Sequence, residues 1–266
     1  MKIALTLVFA VNMVQAQHNK VLFVMSAADT LVLNQGEKLR QTGVFLNEFY
    51  LAYKSVTAAG YTVDFATPGG IVSTIDEESM DDKYWKDNVT IKNEALEFVT
   101  TDPVFNNPKT LEQAIENKSD YMGLIIPGGQ GLMVDLIDDP NIPILLKYFA
   151  KEKKPTGLIC HAPSLILTIP KDENPYIGFK VNAVSPFEEF VIERFIMKGK
   201  PKTRKIAKKL RKLGLKYRQG LPKANFAVSD RNLTTSQNPF SGEAFNKRFL
   251  ASLAEYQQQK SQPGGI

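Results

Sequence analysis

The sequence predicts an α/β fold built on a mostly parallel sheet with helices on both faces. Three observations lead there. Residues 20–25, 121–126 and 155–160 are short runs, apolar almost throughout, as strands buried on both faces are. Stretches with helical spacing of apolar residues lie between them. Two of the runs end in turns of small residues, Pro127-Gly128-Gly129-Gln130-Gly131 and Cys160-His161-Ala162-Pro163, and open parallel sheets build their sites at such carboxyl ends.

The elements follow in order. After the strand at 20–25 comes a loop rich in Ala, Asp, Asn and Gly. Thr42 is placed to cap a helix running to about Ala59, which Gly60 stops. Residues 61–66 form the next strand, and Thr67-Pro68-Gly69-Gly70 turns the chain. Residues 71–107 read as irregular and hold the only tryptophan, Trp85. Thr110 and Gln113 have the spacing of a capping box for a helix to about Lys118. The strand at 121–126, a helix at about 142–153, the strand at 155–160 and a helix at 161–169 come next. Residues 179–184 read as a strand and 187–213 as two helices. Short strands at 226–229 and 233–236 precede a long last helix that Ser241 caps. The Gln-rich end at 257–266 is expected to fray.

Length and composition suit one globular domain. Met1-Lys2 and an apolar run at 3–14, closed by Val14-Gln15-Ala16, form the pattern of a secretory leader cut after Ala16. The expected organisation is a signal peptide at 1–16 and one domain at 17–266, exported to a periplasm or secreted. The run is too short to span a bilayer, which takes about 20 apolar residues. The chain has 33 basic and 28 acidic residues. Eleven of the basic ones lie in 198–218, which holds no acid, so the remainder is net acidic. Apolar Ile206, Leu210, Leu213 and Leu215 punctuate that segment. It reads either as a solvated helix face or as a surface for an anionic partner such as a lipid or polyanion.

One cysteine excludes an internal disulfide. In an exported chain such a thiol is either reactive or buried and inert. Cys160 follows a buried strand, inside a tight turn flanked by small residues, as in a nucleophile elbow. A helix beginning there would favour the thiolate through its dipole and free N–H groups. His161 is one of two histidines, and the other, His18, adjoins the leader. That leaves His161 as the imidazole available for proton transfer, or else a capping or core residue. The glycines at 128, 129 and 131 allow N–H groups to face an incoming oxygen, or simply turn the chain. Glu48 sits beside the apolar stripe of Phe45, Phe49, Ala52 and Val56. It is either a boundary residue reaching solvent or a desolvated carboxyl that keeps its proton. Two histidines and one cysteine are too few for an ordinary zinc site.

In order and spacing these pieces resemble the ThiJ/PfpI superfamily, related in fold to class I glutamine amidotransferases. The branch they resemble is the heat-shock chaperone and glutathione-independent glyoxalase III group. The resemblance rests on residues 20–25, Thr42-Gly43 through Glu48, and Ala59-Gly60-Tyr61 through Ala66-Thr67-Pro68. It continues through Ile126-Pro127-Gly128-Gly129, Ile159-Cys160-His161-Ala162-Pro163 and Leu233-Thr234-Thr235-Ser236-Gln237-Asn238-Pro239. It implies a flavodoxin-like three-layer sandwich, with Cys160 as nucleophile, His161 as its partner and Glu48 as the carboxyl that contacts the thiol. Gly128, Gly129 and Gln130 would line the pocket, and the N–H groups of Gly129 and His161 would form the oxyanion pocket. Glu189 would orient His161, with Glu188 as second choice. Where the branch commonly has His and Trp, this chain has Gln130 and Val134, both expected at the pocket. The metal-binding histidines of some members are absent. No cofactor is implied, and homodimers are common in the branch.

Three functions from different classes use these features. One is an enzyme acting on small carbonyls such as methylglyoxal, another an amidase with a Cys160–His161–Glu189 triad. The third is a holdase or polyanion-binding protein of the cell envelope.

Overall fold

Apolar runs without alternation become interior strands, since helices cover both faces of the sheet. A computed structural model describes residues 19–85 and 88–261. The expected leader at 1–16, His18 and the last residues of the tail lie outside the described residues. The strands are β1 (Lys20–Val24), β2 (Thr30–Leu33), β3 (Lys38–Gln41), β4 (Thr62–Thr67), β5 (Lys109–Thr110) and β6 (Tyr121–Ile126). They continue as β7 (Thr156–Ile159), β8 (Lys180–Val181), β9 (Lys216–Tyr217), β10 (Ala227–Asp230) and β11 (Leu233–Ser236).

Seven of them form one sheet in the order β10-β11-β7-β6-β1-β4-β5. Every pairing is parallel except β10 with β11. From β1 the chain builds outward on one side through β4 and on the other through β6 and β7. Helices Leu46–Ala58 and Gly242–Ser261 pack together over one face. Helices Leu111–Glu116 and Asn141–Lys151 cover the other, with the 3-10 segment Ala162–Thr168 and helix Ile206–Leu213. This is the flavodoxin-like sandwich that the sequence predicts. Phe23, Phe49, Phe65 and Phe105 are buried where the first helix meets the sheet, with rings 5.4–6.0 Å apart. Such pairs add about 0.5–1.5 kcal/mol each beyond burial.

Several elements differ from expectation. The loop after β1 contains the β2–β3 hairpin, turned at Asn34, Gln35 and Gly36, all with positive φ. The first helix starts at Leu46, not at Thr42. The Thr42 hydroxyl bonds the Asp76 carboxylate at 3.4 Å, and Val44 pairs with Ile75 as an isolated bridge. That stretch is therefore held extended. The segment expected to be irregular contains helix Val89–Thr101, whose N-cap is the Asn88 side chain. Only Lys180–Val181 of the strand expected at 179–184 pairs, and it pairs with β9 outside the main sheet. Helix Pro186–Val191 runs into a π-turn at Ile192–Ile196. The basic segment forms helix Ile206–Leu213, with Ile206, Ala207 and Leu210 buried and Lys208, Lys209, Arg211 and Lys212 exposed. Among the described residues no helix is long and apolar enough to cross a membrane.

Candidate active site

Strand register assembles the site. β6 pairs with β7 so that Ile126 faces Leu158. Two residues beyond each, Gly128 and Cys160 stand side by side at the carboxyl edge of the sheet. Gly128 must lack a side chain, because a Cβ there would overlap the Glu48 carboxyl and the Cys160 Cβ. Gly129 has φ +108°, which a glycine adopts without strain.

Cys160 has φ +58°, costly for a residue with a side chain. Its neighbours hold it there: Cys160 N–H donates to Ser236 O at 2.9 Å, and Val184 N–H donates to Cys160 O at 2.9 Å. The result is a strained turn at the end of β7 with Cys160 at its tip, the backbone shape of an elbow. The following segment is a 3-10 helix, Ala162–Thr168. This corrects the expected α-helix start and removes its macrodipole as a support for the thiolate. Cys160 is 5% exposed. Burial pushes its pKa well up, and the nearby Glu48 and Glu188 carboxylates add to the rise; the His161 N–H opposes them. At rest the sulfur holds its proton.

His161 Nδ1 lies 3.2 Å from Cys160 Sγ. Burial lowers its pKa to about 4, so the ring is neutral near pH 7. Glu48 is 4% exposed, not a boundary residue reaching solvent. Among the described residues neither of its oxygens makes a hydrogen bond of good geometry. Burial raises its pKa to about 8, and the approach of the Cys160 thiol and the Gly128 N–H is too weak to offset that. Thiol, imidazole and carboxylic acid thus meet uncharged. The N–H groups of Gly129 and His161 donate to no carbonyl among the described residues; that of His161 approaches the Cys160 sulfur.

A cavity of about 150 Å³ opens over these groups. Phe45, Tyr84, Phe240, Val184 and Ile192 give it apolar walls. Phe45 and Phe240 pack on Tyr84 with ring centroids 4.9 and 5.8 Å away, and Arg40, Asp76 and Lys223 stand among the lining residues. Sequence reasoning missed these wall residues, because they converge from five separate segments.

A family profile described as ThiJ/PfpI family-like matches residues 39–174. The chain belongs to the ThiJ/PfpI family. It is 23% identical over 231 residues to the protein/nucleic acid deglycase HchA of Escherichia coli, covering 85% of this chain and 78% of that one. Two solved structures share its fold. Rapid Encystment Protein 24 KDa of Francisella tularensis superposes with a TM-score of 0.69 at 24% identity, over 88% of this chain and 99% of that one. Glyoxalase III of Candida albicans gives 0.69 at 20% identity, over 89% and 98%.

The departures of this ThiJ/PfpI chain are now placed. Gln130 is buried, its amide nitrogen 2.8 Å from His161 Nε2. Val134, expected at the pocket, is instead 38% exposed and absent from the lining. Glu189, expected to orient His161, faces away. It accepts a hydrogen bond from Lys205 N–H and lines a separate hollow with Glu193, Arg204 and Arg211. The cause is the Ser185/Glu188 capping box. Once Glu188 folds back on Ser185, the next residue is rotated by about 100° around the helix. Glu188 does reach the pocket but does not touch His161. It accepts from Ser185 N–H and Oγ, Gln237 Nε2, Lys223 N–H and Asn238 Nδ2 at 2.7–3.0 Å. Ser185-x-x-Glu188 was the sequence signal for that placement.

Proposed function

We propose that this chain is a cysteine-dependent enzyme that converts small 2-oxoaldehydes such as methylglyoxal to 2-hydroxy acids, as a glyoxalase III or a related deglycase. The supporting observation is the uncharged cluster of Cys160, His161 and Glu48 beneath a small apolar-walled cavity. The deglycase and glyoxalase names of its relatives agree with that class of activity.

The reaction needs a nucleophile, a base and an acid that can also act as a base. Sγ adds to the aldehyde carbon while His161 Nδ1 takes the thiol proton. The oxygen formed faces the N–H groups of Gly129 and His161 and takes a proton from the imidazolium, giving a hemithioacetal. Glu48 then gives its proton to the adjacent ketone oxygen and, as a carboxylate, takes the proton from the sulfur-bearing carbon. The enediol regains a proton at the neighbouring carbon and loses one from the first hydroxyl, leaving a 2-hydroxy thioester. Water hydrolyses it to the 2-hydroxy acid and frees the thiol. The sum is one carbonyl compound plus one water. Glu189 lines a different hollow, which gives the alternative Cys–His–acid amidase less support.

A panel of methylglyoxal and chromogenic amides, run on wild type and Cys160→Ala, tests this. The expected result is a 2-hydroxy acid from wild type alone. Unchanged turnover in Cys160→Ala, or amide cleavage with inert methylglyoxal, would end the proposal. The apolar N-terminal run closed by Val14-Gln15-Ala16 also supports an exported protein. Intact-mass measurement of the protein from an exporting host should show loss of residues 1–16.

A further inference from the structure

We propose that Gln130 is a positioning residue for His161: its amide oxygen accepts the ring Nε2–H and thereby leaves Nδ1 bare toward the sulfur. The inference rests on Cys160 being the nucleophile and on no particular substrate.

The ring of His161 makes two side-chain contacts among the described residues, Cys160 Sγ at 3.2 Å from Nδ1 and the Gln130 amide at 2.8 Å from Nε2. Among the described residues no carboxylate bonds it. Among the described residues the charged or titratable groups around the same cavity, besides Cys160, are Glu48, Glu188, Asp76, Glu78, Tyr84, Arg40 and Lys223, and none of them bonds the ring. A buried neutral imidazole carries one proton, and the hydrogen bond at one nitrogen selects which nitrogen holds it.

The structure directs the amide nitrogen at Nε2 and leaves Gln130 Oε1 buried without a partner among the described residues. Oxygen and nitrogen of an amide exchange by a half-turn, and their placement is an assignment from the bonding network. In the drawn orientation Nε2 accepts, so Nδ1 carries the proton, and the thiol S–H has no base. In the exchanged orientation Nε2–H donates to Oε1 and S–H donates to Nδ1. The Glu48 O–H then faces a sulfur that can accept it. Three donors then run in one direction, from Glu48 through sulfur and imidazole to Gln130. The same oxygen also receives the Nε2–H of the imidazolium formed during addition, whereas an amide N–H would oppose it.

Amide neutrality matters too. A carboxylate at this place would hold His161 protonated and turn the resting pair into thiolate and imidazolium. Gln130 keeps the base neutral until a substrate arrives.

Nitrogen-15 NMR of histidine-labelled protein reads the tautomer directly, since the chain has only two histidines and a His161→Asn sample identifies the signal. Wild type should show a protonated Nε2 and a bare Nδ1. Gln130→Met should show mixed tautomers, with iodoacetamide alkylation of Cys160 about tenfold slower at pH 7, the order expected for one lost hydrogen bond. Gln130→Glu should move the alkylation–pH curve at least about one unit lower. A wild-type ring protonated at Nδ1 would overturn the proposal, and so would a Gln130→Met ring and alkylation rate unchanged from wild type. The wild-type spectrum decides even if a variant fails to fold. A spectrum as expected with no carbonyl turnover would keep the role of Gln130 and remove the carbonyl reading.

Discussion

Two glutamates raise the pKa of the Cys160 thiol, and their surroundings could hardly differ more. Glu48 is sealed against Gly128 and Cys160 with no well-formed hydrogen bond to either oxygen. Glu188 receives five donors from four residues. A carboxyl without donors in an apolar site keeps its proton, while one surrounded by donors serves as a fixed acceptor. The same residue type is thus a protonated carboxyl in one place and a bracket for the chain in another. Glu188 ties together Ser185, the 220–223 loop and the Gln237-Asn238 turn, all at the pocket wall.

Substitutions can break this contrast. The largest effect is expected at the sulfur whose pKa both carboxyls raise: Cys160→Ala should abolish 2-hydroxy acid formation, with circular dichroism and melting close to wild type. Glu48→Gln should follow, with kcat lower by about 100-fold or more, the usual worth of a positioned acid–base group. The amide fills the same space but carries no transferable proton.

The pH dependence sharpens the comparison. The proposed reaction needs Glu48 protonated and His161 neutral, so kcat/KM should form a plateau between about pH 4 and about pH 8. It should fall below that range as His161 protonates and above it as Glu48 ionises. Stability carries the same signature. Glu48 has a raised pKa when folded, so between its unfolded value of 4.5 and about 8 the folded state binds more protons than the unfolded one. Its contribution is fully present below 4.5 and is lost as pH rises through 8. His161 acts oppositely. Its folded value of about 4 lies below the unfolded 6.5, so its contribution grows over that window. Denaturant titrations of wild type and Glu48→Gln cancel the histidine. The difference in unfolding free energy should move against wild type steadily from pH 5 to 8.

Smaller effects belong to the helix at 186–191. Glu188→Gln places an NH₂ against donors from Lys223 and Asn238 and should cost about 1–3 kcal/mol in urea unfolding. Cys160 alkylation should speed up, because a charge that raises the thiol pKa is gone. Glu189→Gln should leave turnover within about twofold, since the side chain serves Lys205 N–H, and lose only about 1 kcal/mol of stability. A large loss of turnover there would restore Glu189 to the site.

What could be read from the sequence follows the same physics. β1, β6 and β7 declare themselves because a doubly covered strand has no polar face, and their turns mark the carboxyl edge. Cys160 and His161 are conspicuous by scarcity. Glu48 was visible only as an acid beside an apolar stripe, and its state depends on how tightly Gly128 closes over it, which is a matter of register between distant strands. Glu189 was misplaced because spacing after a strand does not reveal which of two adjacent acids a capping box turns inward. Helix Val89–Thr101 was hidden by β-branched residues, although Ile91, Ala95 and Phe98 form a helical stripe behind the Asn88 cap. The Thr42 cap failed because its hydroxyl found Asp76, a partner brought from outside the local sequence.

The proton on Glu48 is the point on which the mechanism turns, and infrared difference spectroscopy of wild type minus Glu48→Gln at pH 7 observes it. A carboxylic-acid C=O band present in wild type and absent from the variant is the predicted result. A difference spectrum containing only carboxylate bands would show Glu48 ionised at rest and contradict the account.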